Sequence, residues 1–98
     1  MTELSGKQAR YLRGLGHHLK PVVMIGKDEV TDSVLEAVEE ALEKHELIKV
    51  KVQEGCPLDR KDVARILSEK TRAAVAQILG KTILLYRESE EKKITLPS

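Results

Sequence analysis

Apolar positions along this 98-residue chain recur at two spacings, every three to four residues in some stretches and every second residue in others. The first spacing belongs to a helix seated on a core, the second to a half-buried strand. Near the start, Ser5 with Gln8 three residues later makes a capping box, and Leu4 and Ala9 are placed to form the hydrophobic staple beside it. A helix is expected from there to about Gly16 or His18. At about 100° per residue, Tyr11, Leu12, Leu15 and Leu19 share one arc, which assigns Tyr11 to the core. Lys7, Arg10, Gly14 and His17 fall on the other side with Arg13 just beyond, so the outer face of this helix is basic.

Pro21 then opens a short β-branched run over 22–25, and Gly26 ends it. Thr31 caps a second helix over 31–44, with Val34, Leu35, Val38, Ala41 and Leu42 inward and Glu36, Glu39, Glu40 and Glu43 outward. Over 47–53 the pattern alternates, Ile48, Val50 and Val52 against Lys49, Lys51 and Gln53. Those lysines suit a wet sheet face and would also discourage pairing at an edge. After a loop over 54–58, Asp59 is placed to cap a third helix with Val63, Ile66 and Leu67 inward. Strands over 75–79 and 82–86 follow, joined by Gly80-Lys81, a two-residue connection of the type II′ hairpin kind.

The order is thus α-β-α-β-α-β-β. Strand–helix–strand crossovers require parallel pairing and the hairpin requires an antiparallel pair. The expected fold class is α/β (α+β): a single compact domain over 1–98, with a four-stranded mixed sheet packed with three helices in two layers. The ordered core is expected at about 4–87, with a charged, loosely held tail over 88–98.

The net charge of +1 hides a segregated chain. Residues 1–27 carry five basic groups and one acidic, 28–46 carry eight acidic groups and Lys44, and 47–87 carry nine basic and four acidic. An anionic partner would meet the flanking segments while the acidic helix faces away. No apolar run is long enough to span a membrane, no secretory signal is visible, and Cys56 has no partner for an internal disulfide. These readings point to a cytoplasmic protein with no membrane partner.

Catalytic chemistry finds little footing. His17, His18 and His45 lack metal-site spacing with Cys56, and no nucleophile–base pairing is readable, so no catalytic residue, metal site or cofactor is expected. Gly80-Lys81-Thr82 imitates the end of a P-loop, but Val75 stands where that motif needs glycine, and the tripeptide joins two strands. The turn at Gly26, between a strand and a helix N-terminus, is a place where backbone N–H groups can meet an anion.

The run Leu19-Lys20-Pro21-Val22-Val23-Met24-Ile25-Gly26-Lys27 resembles the corresponding segment of the YhbY family, the stand-alone bacterial form of the CRM RNA-binding domain. So do 45–52 and 77–87, in order along essentially the whole chain to Ile94-Thr95-Leu96-Pro97. The resemblance implies a fold similar to the C-terminal domain of a bacterial translation initiation factor with an added N-terminal helix. It also implies RNA binding, association with precursors of the large ribosomal subunit and a part in their assembly; the expected partners are ribosomal RNA and ribosomal proteins, and the protein is expected to be a monomer. The family's loop after the first strand reads Gly-x-x-Gly, like the loop by which KH domains clamp a backbone. Here Gly26, Lys27 and Asp28 are followed by Glu29 in place of the second glycine. A side chain there limits positive φ, and its charge is wrong for a phosphate. Either the loop still binds through Gly26, Lys27 and backbone donors, with Asp28 and Glu29 aimed at the helix N-terminus, or affinity rests mostly on the basic face of the first helix. The second account is favoured. The expected RNA-contacting set is Lys7, Arg10, Arg13, His17, Lys20, Gly26, Lys27, Asp28, Glu29 and Lys81. With two tyrosines and no Phe or Trp there is no aromatic platform, so recognition is expected through phosphates and RNA shape. The alternative from another class is a protein-interaction adaptor using the acidic face of the second helix.

Overall fold

The computed structural model describes residues 3–98. Its elements are α1 (Gly6–Gly16), β1 (Pro21–Ile25), α2 (Asp32–His45), β2 (Leu47–Val52), α3 (Arg60–Thr71), β3 (Ala74–Leu79) and β4 (Thr82–Tyr86). The Ser5/Gln8 capping box forms in both directions, and the Thr31 hydroxyl accepts from Val34 N at 3.1 Å. Asp59 occupies the N-cap of α3 without a side-chain cap hydrogen bond. Gly80 takes φ 59° and Lys81 is not among the positive-φ residues, as the first and second central positions of a type II′ turn require.

The sheet order is β1-β2-β4-β3, with β1 parallel to β2 and the other pairs antiparallel. β2 is therefore an interior strand. Its lysines are not edge protection; they lie on a sheet face that is only partly covered. The second crossover does join strands of the same direction, but β4 comes between them.

Two apolar clusters occupy the two faces. On one face Val38 and Leu42 of α2 and Val63, Ala64 and Leu67 of α3 pack on Val23, Ile25, Ile48, Val50, Val52, Ile83 and Leu85. On the other, Leu12 of α1 joins Leu47, Ala76, Leu84 and Tyr86, with Leu4, Ile94 and Leu96 around them. Helices cover both faces, so the layers number three, not the two expected. Leu12 is the only large α1 side chain fully buried, worth about 2–3 kcal/mol. Close approach supplies the rest: a Cβ on Gly16 would stand 2.8 Å from a Leu84 methyl, so only glycine lets α1 settle this near β4. The helix is consequently rotated from the expected arc. Gln8, Leu12 and Gly16 face inward, and Tyr11 is 44% exposed, not core. Tyr86 is the buried tyrosine, its phenol pKa pushed up by burial and by the nearby Glu46 and Glu88 carboxylates.

The segment after Tyr86 is not loose. Glu46, fully buried at the C-cap of α2, accepts from Ser89 N at 3.0 Å, Lys93 N at 2.9 Å, Ile94 N at 2.8 Å and the Ser89 hydroxyl. Burial alone would raise its pKa, but these four donors outweigh it and hold the carboxyl at about 2, against an ordinary 4.5. Gln8 Nε2 then donates to Pro97 O at 3.0 Å, tying the chain end to α1.

Candidate nucleic-acid interface

The turn after β1 has a left-handed residue at its fourth position. Glu29 N donates to Gly26 O at 3.0 Å, closing the turn, and Glu29 itself takes φ 62°. The expectation that a side chain there would restrict positive φ is corrected: Glu29 adopts the left-handed conformation, at a cost of about 1–2 kcal/mol relative to glycine. A Cβ at Gly26 would meet Gln53 Oε1 at 2.9 Å, a contact that the exposed end of that side chain can relieve by moving. Gln53 N donates to Ile25 O at 2.8 Å, which holds the two loops together. Lys27, Asp28 and Glu29 are exposed, and the cap of α2 is Thr31; neither acidic side chain hydrogen-bonds to that helix end among the described residues.

Strand register brings the hairpin to the same place. Ile25 lies opposite Val52, and Lys51 opposite Thr82, so the 26–29 turn, the loop after β2 and Gly80-Lys81 share one end of the sheet. Lys81 is within 3.6 Å of Glu54 in an exposed pair worth under about 1 kcal/mol, and Arg60 Nη1 braces Gly80 O at 2.8 Å.

α1 supplies the second group of cations. On one flank Leu15 lines a groove of about 510 Å³ with Leu19, Lys20, Val22, His45, Leu47 and Ile94, at the start of β2. Arg13 stands two positions before Leu15, hence on the opposite flank of α1, whereas His17, the C-cap, lies seven positions from Arg10 and shares its direction. Lys7 and Arg10 point away from the sheet. The structure thus gathers Gly26, Lys27, Asp28, Glu29 and Lys81 at one sheet end, sets Arg13 on the flank of α1 opposite Leu15, places Lys7, Arg10 and His17 on its outer side, and leaves Lys20 on the connector into β1.

Between these groups lies a floor that sequence reasoning did not place. Met24, Lys51, Thr82 and Leu79 form one cross-strand row on the α1 side of the sheet, and Leu79 is 68% exposed. The alternation in β2 signalled Lys49 and Lys51; nothing local signalled that Met24 and Leu79, from strands far apart in sequence, would join them. α2, with its carboxylates, packs on the opposite face. There Arg87 bridges Glu39 and Glu43, each at 2.8 Å, while also donating to Thr71 O at 2.7 Å. Among the described residues, no group of three His, Cys, Asp or Glu side chains could hold a metal, and no helix is long and apolar enough to cross a membrane.

Known proteins resemble this chain over nearly its whole length. It is 47% identical over 95 residues to the Bacillus subtilis (strain 168) protein named "Probable RNA-binding protein YqeI", covering 96% of this chain and 99% of that one. It is also 47% identical over 97 residues to a Haemophilus influenzae protein named "RNA-binding protein", covering 99% and 98%. The solution structure of the hypothetical protein SAV1595 from Staphylococcus aureus superposes with a TM-score of 0.81 at 44% identity, over 96% of this chain and 99% of that one. With the family model matching residues 4–87 as well, the chain belongs to the CRS1/YhbY (CRM) domain family.

Proposed function

We propose that this protein is a non-enzymatic, cytoplasmic RNA-binding protein that acts as a monomer. It holds the phosphate backbone and shape of structured RNA, associates with precursors of the large ribosomal subunit and assists their assembly. The names of its relatives support the RNA-binding part. The observation that carries the reading is electrostatic: Lys7, Arg10, Arg13, Lys20 and Lys27 are exposed, and none makes an ion pair among the described residues. Exposed cations with no intramolecular carboxylate partner are what a polyanion can neutralise with release of its counterions. The adaptor alternative loses ground, because two of its four carboxylates, Glu39 and Glu43, are engaged by Arg87.

The test is sedimentation of the protein from a cell lysate at native abundance through a density gradient at low and moderate salt. Co-migration with large-subunit precursors, lost as salt rises, is the expected result. Residence at the top of the gradient at every salt concentration removes the ribosomal part of the proposal.

A further inference from the structure

The sheet floor beside α1 contains a cleft of about 160 Å³ lined by Leu19, Pro21, Lys49, Gln77, Leu79, Thr82 and Leu84. We propose that this cleft is a pocket for one unpaired RNA base. The inference rests on the RNA-binding reading above and deepens it.

Size and wall chemistry come first. An apolar cavity of about 150 Å³ accepts a benzene ring, so this cleft has room for a flat aromatic ring. Leu19, Pro21, Leu79 and Leu84 supply apolar walls. Leu84 is fixed under Gly16, and Leu19 is held over the cleft by its N–H donating to Gly16 O at 3.0 Å.

Polar groups then narrow the occupant. Lys49, Gln77 and Thr82 are half-buried, and their side chains have no hydrogen-bond or ionic partner among the described residues. A few unspent polar groups converging on an apolar cleft are the usual composition of a ligand site. Gln77 offers both a donor and an acceptor, the combination that pairs with a base edge, while Lys49 donates to ring nitrogens or carbonyl oxygens. An aliphatic side chain in the same place would strip water from these groups without replacing its hydrogen bonds, at about 1–3 kcal/mol for each group left unpaired.

Backbone geometry points the same way. β3 carries a register shift between Val75 and Gln77, with Gln77 opposite Leu84. Regular alternation would send Gln77 to the α2–α3 face with Val75. The bulge turns it onto the α1 face after Ala76, and such bulges re-aim side chains. Lys51, one pleat further along β2, and Arg13 on the flank of α1 opposite Leu15 then lie where phosphates on either side of an extruded nucleotide would pass.

Fluorescence anisotropy tests the pocket, with a fully paired RNA stem and the same stem carrying one unpaired nucleotide. The wild type binds the second about tenfold more tightly, the factor that about 1.4 kcal/mol of ring burial and base-edge hydrogen bonding supplies. Gln77→Leu and Leu19→Ala each bring that ratio close to one while leaving affinity for the paired stem and its salt dependence unchanged. Thr82→Val, which alters no volume, lowers the ratio in part and guards against a folding artefact. Equal binding of the two stems by wild type, or a ratio retained in all three variants, overturns the pocket. Excess free nucleoside monophosphate leaves the ratio unchanged; abolition of the preference at low concentration would overturn the assignment to RNA. Failure of the wild type to bind either stem is a different result, and it counts against RNA binding itself.

Discussion

Glu29 holds a conformation that glycine holds at less cost, and it places a carboxylate beside Lys27 on an exposed turn. Both effects oppose the proposed function, and one substitution removes both. Glu29→Gly is expected to raise stability by up to about 1 kcal/mol, since relief of strain slightly exceeds the entropy glycine adds to the unfolded chain. It should also tighten RNA binding; Glu29→Gln should tighten binding without the gain in stability. Denaturant midpoints and anisotropy separate the two, and a lower midpoint for Glu29→Gly would refute the strain account. Glu46 is the opposite case, a side chain whose surroundings were built for its charge. Its folded pKa of about 2 lies below the ordinary 4.5, so the unfolded chain takes up the proton first. The stabilisation, on the order of 3 kcal/mol, is complete above pH 4.5, shrinks as pH falls and is gone below pH 2. Unfolding midpoints measured across that window should fall steeply for wild type and much less for Glu46→Gln, which starts lower because its amide cannot accept all four donors. The residue itself is plain in the sequence. Its role was not, because every donor lies 43 to 48 positions away.

Elements were legible where their signals are local. Capping by Ser5 and Thr31, the turn at Gly80-Lys81 and the alternation in β2 each depend on neighbours within a few positions, and each element formed where its pattern placed it. Strand order, the face chosen by α1 and the docking of the tail depend on distant partners, and no periodicity encodes them. The rotation of α1 shows the physical reason: an apolar arc identifies large side chains, whereas the closest contact of this helix is made by Gly16, which has none. Gly16→Val is accordingly expected to cost about 2–3 kcal/mol and to loosen α1 in particular. Amide hydrogen exchange should report faster exchange across Gly6–Gly16 with the central strands still protected. Uniform loss of protection would mean that α1 is integral to the cooperative core.

At the scale of the molecule, the small net charge combines one strongly acidic helix, α2, with basic groups on α1, on the sheet end and on α3. The last shares the α2 face and carries Arg60, Lys61, Arg65 and Lys70 against Asp62 and Glu69. α2 and its carboxylates pack on one face, with Glu39 and Glu43 partly neutralised by Arg87. α1, with Lys7, Arg10 and Arg13, lies on the other face. The turn at Lys27 and the hairpin at Lys81 lie together at one end of the sheet. A polyanion is attracted to the cations of α1 and repelled at the exposed carboxylates of α2, which biases the orientation in which it is met. The candidate cations were legible in the sequence by residue type, whereas their shared surface follows from register and could not be read locally. The most direct test of this account is the salt dependence of affinity for a structured RNA, measured for wild type and for the double variant Arg10→Ala, Arg13→Ala. Five phosphate contacts predict a slope of log affinity against log salt of roughly −4, shallower by about 2 in the double variant. A slope near zero, or a double variant indistinguishable from wild type, would contradict the claim that these unpaired cations carry the binding.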